Sequence, residues 1–272
     1  MKFSLNGSTI RTTPILTQIE AAAAAGFEAL EVWFDKVDEH VAAGNTVAEV
    51  RNALDDHGLA VPTCIYLGDW FDSSGESHRH VLDECKRRIA IAAELGAPHV
   101  IAGPPLGKAD YELGARNYRE LLEIGAEFGV KPSMEFLGFV DQLNTIEDAL
   151  EVMTKSGHPD ASTVLDPAHI HRGGSPMESI SKLTDSQIAV AHFDDVVADD
   201  VVHRGEQLDG DRVWPGEGVY DLARYIKLIE ATGYDRYLSL ELFREDHWAR
   251  DPFEVTKEGM EKMRAVVEST VS

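Results

Sequence analysis

Cysteine is nearly absent from this chain. Its 272 residues include two, Cys64 and Cys85, too few for a disulfide framework or a cysteine-based zinc site. Basic residues are scarce as well. Lys and Arg number 25 against 48 Asp and Glu, a formal net charge of −23. Such a surface repels phosphate backbones and anionic lipid, which argues against nucleic-acid and membrane partners. No apolar run approaches transmembrane length, and the opening MKFSLNGSTI lacks the apolar centre of a signal segment. The expected location is the cytoplasm. No Gly/Ser/Pro linker or low-complexity segment divides the sequence, so one domain covering residues 1–272 is expected. The acid is spread along the whole chain rather than gathered in a tail. That is the pattern of a halophilic protein, in which salt screens the self-repulsion; the alternative is an ordinary acidic enzyme.

What is present is a regular alternation. Strand-like apolar runs occupy 2–6, 29–34, 61–66, 99–103, 131–137, 162–166, 188–193 and 237–243. Between them lie helical patterns such as TQIEAAAAAGF and NYRELLEIGAEFGV, several ending in glycine. Strand then helix, repeated eight times, predicts an α/β fold of the (β/α)8 TIM-barrel type. An open doubly wound sheet is disfavoured because no G-x-G-x-x-G follows the first strand.

In such a barrel the chemistry sits at the C-terminal ends of the strands. The last four runs carry Glu135 in SMEFLG, Asp166 in TVLDPAH, His192 in AVAHFDD and Glu241 in LSLELF. A buried carboxylate without a partner is costly. One divalent cation bound by three carboxylates and a neutral imidazole accounts for all four at once. Mn, Mg, Co and Zn all suit that donor set.

The segments MEFLG, NTIEDALEV, VLDPAHIH, MESI, HFDDV, DRVWPGEGVYDL and LSLELFRE resemble the xylose-isomerase-like barrels, a family of sugar isomerases and epimerases. Within it the likeness is greatest to the branch that isomerises inosose, 2-keto-myo-inositol; the opening SLNGST is a weaker match. The resemblance implies that Glu135, Asp166, His192 and Glu241 bind one divalent metal. It implies that His169 contacts a substrate oxygen, and that Arg212 holds a substrate hydroxyl or the developing oxyanion. The implied activity interconverts keto isomers of a small sugar or cyclitol by proton transfer through a metal-stabilised enediolate, with Glu135 and Glu241 as proton carriers. A ketose 3-epimerase and an inosose dehydratase are the alternatives on the same site. The endonuclease branch of these barrels is disfavoured by the net charge and by the lack of extra histidines on the early strands.

On this reading Pro167 and Ala168 turn the chain after Asp166, and His169 points back to the substrate. His171 is open between a substrate role and packing. Asn6, Glu31, Trp33, Cys64 and Tyr66 are candidates for the far wall of the pocket, with Cys64 an inert thiol. Trp33, Trp70 and Trp214 are candidates for apolar walls. One of Asp194 and Asp195 is expected to orient His192. His203, Arg204 and His247 lie in loops placed to cap the pocket. A homo-oligomer is compatible with the sequence but not required by it.

Overall fold

The computed structural model describes residues 1–198 and 209–271. Strands β1 (Lys2–Asn6), β2 (Ala29–Trp33), β3 (Thr63–Leu67), β4 (His99–Ala102), β5 (Lys131–Met134), β6 (Thr163–Leu165), β7 (Ile188–His192) and β10 (Tyr237–Leu240) form a closed parallel barrel. Around it the order is β1, β10, β7, β6, β5, β4, β3, β2, so each strand lies beside its neighbour in this series. Two further strands, β8 (Asp195–Val196) and β9 (Arg212–Val213), pair antiparallel as a short ribbon above β7. The helices are α1 (Ile15–Ala25), α2 (Phe34–Ala42), α3 (Val47–Asp56), α4 (Gly75–Glu94), α5 (Tyr111–Phe128), α6 (Ile146–Ser156), α7 (Pro167–Gly173), α8 (Leu222–Ala231), α9 (Glu245–Trp248) and α10 (Pro252–Val271). None of the described helices is long and apolar enough to cross a membrane.

Every predicted strand is present, but the runs 131–137 and 237–243 are shorter than expected. They stop at Met134 and Leu240, one residue before Glu135 and Glu241. Those two residues come directly after the strands, Glu135 with its N–H still donating to the Ala102 carbonyl at 3.0 Å, so their carboxylates sit on the rim. The strands are apolar on both faces because a parallel barrel is covered on both faces; all five residues of β7 are buried. Inside the barrel Ile65, Ile101, Val164 and Val190 form a plug. Outside it one large apolar cluster, from Leu5 to Met263, joins strands to helices. Gly26 and Gly129 end α1 and α5 in the left-handed conformation, at φ 86° and 70°, where a residue with a Cβ is strained.

The stretch after β6 departs from expectation. Pro167 and Ala168 do not make a turn; they open helix α7. Asp166 is its N-cap, and its Oδ1 accepts the His169 N–H at 2.8 Å. Proline suits the first helical position, where no N–H is needed. Capping uses one carboxylate oxygen of Asp166 and leaves the other to face the barrel axis.

His99, at the start of β4, gives the fold a pH response. Its Nδ1 is 2.9 Å from Ser133 Oγ. Burial, with help from the Lys131 and Arg236 charges, pushes its pKa down to about 4. Between about pH 6.5 and 4 the unfolded chain binds a proton at this histidine that the folded chain refuses. Stability therefore falls as pH drops through that window, by less than about 3 kcal/mol because the ring is partly in water. In denaturant melts at pH 7 and pH 4.5, His99→Gln should lose less stability on acidification than the parent. Parallel losses in the two proteins would remove His99 from the account.

Candidate metal centre

Of the four strand-end residues, Glu135 and Glu241 line one cavity of about 560 Å³, and His192 and Asp166 lie against them. Their meeting point is the Nδ1 edge of the His192 ring. Glu241 Oε2 stands 3.0 Å from that nitrogen, Asp166 Oδ2 3.2 Å and Glu135 Oε1 3.9 Å. Three carboxylates around one imidazole nitrogen in a buried site repel one another. Arg212, beside Asp166 and Glu241, offsets part of that repulsion, and a bound cation would offset more. Donor atoms around a zinc-sized ion stand roughly 3.3 Å apart, close to the spread seen here. The donors of Glu135, His192 and Glu241 lie within 4.8 Å of one another. Asp166 shares the same imidazole edge, with its Oδ2 also 2.8 Å from Arg212 Nη2. The residues fit a divalent cation held by Glu135, His192 and Glu241, with Asp166 beside them.

The electrostatics agree with the crowding. Burial and the nearby Glu241 carboxylate push Glu135 well above its ordinary pKa. Burial raises Glu241 too, only partly offset by His192 and Arg212. At Asp166 burial also acts upward, but Arg212, His169 and His192 outweigh it and hold the group well below the usual range. Burial alone would lower His192, yet Glu241, Glu31 and Asp166 drive it well above its ordinary value. The cluster thus draws positive charge to the point where an ion would sit.

Arg212 is the fixed cation of the site. Fully buried at the start of β9, it reaches Asp166, Glu241, Asp209 and Asp194 at 2.8, 3.2, 2.7 and 2.9 Å. Its Nη2 is 3.1 Å from His169 Nε2. His169 lines the cavity. Its Nδ1 lies 3.3 Å from the Gly138 N–H, so both ring nitrogens face donors. Burial pushes its pKa down to about 4, which leaves the ring uncharged.

Several expectations need correction. Neither Asp194 nor Asp195 orients His192. Asp194 faces Arg212, and Asp195 accepts the N–H groups of Gly216, Gly218 and Tyr220. Glu31 stands at the other edge of the His192 ring, 3.4 Å from Nε2. Glu31 is fully buried within β2. It accepts from the Thr63 and Ser239 hydroxyls, and its pKa is lowered despite burial because His192 and these donors favour the anion. A carboxylate behind a ligating imidazole fixes the ring and raises its basicity. Glu31→Gln should weaken zinc binding roughly 10- to 100-fold in a calorimetric titration. An unchanged affinity would leave Glu31 without that role.

Trp33 and Tyr66 line the cavity as expected. Trp70 does not; it is fully buried against Phe71 and Tyr118. Trp214 stacks on His247 at 4.3 Å, away from the cavity. Cys64 is buried and its thiol is pushed far up by burial, as an inert thiol should be. His171 lies edge-on to Tyr220, outside the cavity lining. His203 and Arg204 fall outside the described residues. Sequence reasoning missed the wall formed by Phe71, Leu137, Phe139 and the Gly103–Lys108 loop. The run GPPLG directly after β4 was the available signal, since a stiff loop at a strand end belongs to the rim.

Comparison with known proteins points the same way. The model of a family described as xylose isomerase-like TIM barrel matches residues 19–266. An inosose isomerase of Bacillus velezensis is 26% identical over 277 residues, covering 98% of this chain and 97% of the relative. A 3-dehydroshikimate dehydratase of Pseudomonas aeruginosa is 28% identical over 236 residues, 84% of this chain and 36% of that protein. In fold, the crystal structure of IOLI protein with a bound zinc atom superposes with a TM-score of 0.89. That alignment covers 99% of both chains at 24% identity.

Proposed function

The chain belongs to the xylose isomerase-like TIM barrel family, and from that premise we propose that it is a divalent-metal-dependent keto-isomerase whose substrate is inosose, 2-keto-myo-inositol. The observation that carries the reading is the convergence of three carboxylates on one edge of His192 at the floor of the cavity. The neighbouring inosose isomerase and the zinc-containing fold relative support it.

A divalent ion in this site supplies positive charge that stabilises negative charge developing on the substrate oxygens. Glu135 and Glu241 are the proton carriers. One carboxylate removes the proton from the carbon beside the carbonyl, and a proton is delivered to the former carbonyl carbon as hydroxyl and carbonyl exchange places. His169 and Arg212 orient the substrate oxygens from the side. Trp33, Phe139 and Phe243 give apolar faces for the ring's C–H groups.

The charge of the lining favours an uncharged substrate over a carboxylate such as dehydroshikimate. Among the described residues, Asp69, Asp72, Glu135, Asp209 and Glu241 face Lys108 and Arg212 across the cavity. Arg212 is already committed to four carboxylates. Among the described side chains of the lining, Lys108 is then the cation left to meet an anion besides the metal.

The deciding experiment is incubation with inosose in D₂O at high salt, which suits a chain of net charge −23. Mn, Co, Zn and Mg are supplied in parallel and products are followed by NMR. A deuterated positional keto isomer formed only with metal is the expected result. An unsaturated diketone would make the enzyme a dehydratase, and exchange only with free ketoses would make it an epimerase. No reaction with any of them would sink the isomerase reading.

A further inference from the structure

Asn6 closes β1 and has no part in the roles assigned so far. It is fully buried, and all of its side-chain hydrogen-bonding capacity is used. Its Oδ1 accepts the indole N–H of Trp33 at 2.8 Å and the backbone N–H of Ser8 at 3.0 Å. Its Nδ2 donates to Glu31 Oε1 at 3.2 Å and to Glu241 Oε1 at 2.9 Å. The two ends of an amide have nearly the same shape, so its partners decide which way it points. Two donors at one end and two carboxylates at the other permit one orientation.

These contacts close a ring of four side chains. Asn6 holds Glu241 through Oε1. Glu241 Oε2 is 3.0 Å from His192 Nδ1, His192 Nε2 is 3.4 Å from Glu31, and Glu31 returns to Asn6. The ring divides the labour of the Glu241 carboxylate. One oxygen is tied to Asn6, and the other is left to face His192 and Arg212. Trp33 connects the ring to the cavity, because its indole lines the wall edge-on to Phe243 at 5.8 Å.

We propose that Asn6 is a positioning residue through which Trp33, in the substrate wall, holds the Glu241 carboxylate so that one oxygen is tied back and the other is presented to the metal centre. The proposal rests on the metal reading above. It is tested on the full chain with Asn6→Ala, Trp33→Phe and the double variant, using zinc calorimetry beside steady-state kinetics on inosose. Trp33→Phe keeps an aromatic side chain in the wall while removing the N–H together with part of the ring. Asn6→Ala should lose roughly 10- to 100-fold in zinc affinity, with kcat falling by a similar factor and KM within about twofold of the parent. Trp33→Phe should shift the same two quantities less, and should add nothing in the Asn6→Ala background.

Parental zinc affinity and kcat in Asn6→Ala would overturn the proposal. So would additive effects of the two substitutions, which would cut Trp33 from the chain. If Asn6→Ala does not fold, Trp33→Phe decides alone, and an unchanged zinc affinity overturns the proposal. A parent that binds zinc but leaves inosose unaltered overturns the substrate reading and not this one. A parent that binds no divalent ion overturns both.

Discussion

Glu135→Gln should lower keto-isomerase turnover by roughly 10³-fold, within the range a lost general base produces, while the barrel stays folded. Glutamine keeps the shape of the side chain and removes its ability to take a proton. Glu135 lines the cavity just beyond β5, 3.9 Å from His192 Nδ1. Its burial and the neighbouring Glu241 carboxylate hold its pKa well above the ordinary value, and a bound cation would act the other way. Removing one of several crowded carboxylates relieves repulsion, so the melting temperature should not fall. Solvent deuterium should no longer enter inosose. Glu241→Gln should show the same loss of exchange. Normal exchange in either variant would end that residue's role as proton carrier, whatever became of the metal.

The second large effect is on stability. Arg212→Met should destabilise the fold by about 3–5 kcal/mol, the usual cost of removing one partner from a buried charge cluster. The guanidinium is fully buried among Asp166, Asp194, Asp209 and Glu241. Methionine fills much of the volume and leaves those acids without their cation. Asp194 would suffer most. It is fully buried, burial and Asp166 already push its pKa well up, and Arg212 is the main influence against them. Adding Asp194→Asn to Arg212→Met should recover part of the loss, and saturating zinc should recover more. Urea melts of the three proteins, with and without zinc, measure this. A loss below about 1 kcal/mol in Arg212→Met would mean that water, not Arg212, balances these carboxylates.

The barrel and its rim were legible because they depend on contrasts a sequence displays. Glu135, Asp166, His192 and Glu241 each end an apolar run, and a costly group in a cheap setting stands out. Glu31 carried the same signal, a carboxylate inside ALEVW, yet read only as a wall. Its role depends on Thr63, Ser239 and His192 lying beside it, and those contacts exist only once the barrel closes. Asp194 and Asp195 were not separable by eye, because adjacent residues point in different directions and the β8–β9 ribbon decides which one meets Arg212. Trp70 read as a pocket wall for want of any local cue that it packs inward on Tyr118. Asn6 is uncharged and ends the first strand, which marked it as a wall candidate and no more. Nothing in its neighbourhood in sequence announces the ring it completes.

That ring also bears on how the molecule ages. Asn6 is followed by Gly7, and an asparagine–glycine pair is chemically fragile in a flexible polypeptide. The glycine nitrogen attacks the side-chain carbonyl carbon and expels ammonia to give a cyclic imide, which water then opens to a carboxylate on aspartate or isoaspartate. A larger neighbour would require its surroundings to shift, since a Cβ on Gly7 would lie 2.7 Å from Gln18 Oε1 and 3.3 Å from the Glu31 carbonyl oxygen and Trp33 Cδ1. What shelters the pair is the fold itself, which grips the Asn6 amide at both ends and winds Gly7 into a tight turn. Each excursion to the unfolded chain removes that shelter, and a single deamidation would place another negative charge beside Glu31 and Glu241. The working lifetime of the catalyst is therefore tied to how seldom it unfolds, and conditions that loosen so acidic a protein shorten that lifetime at its own active site.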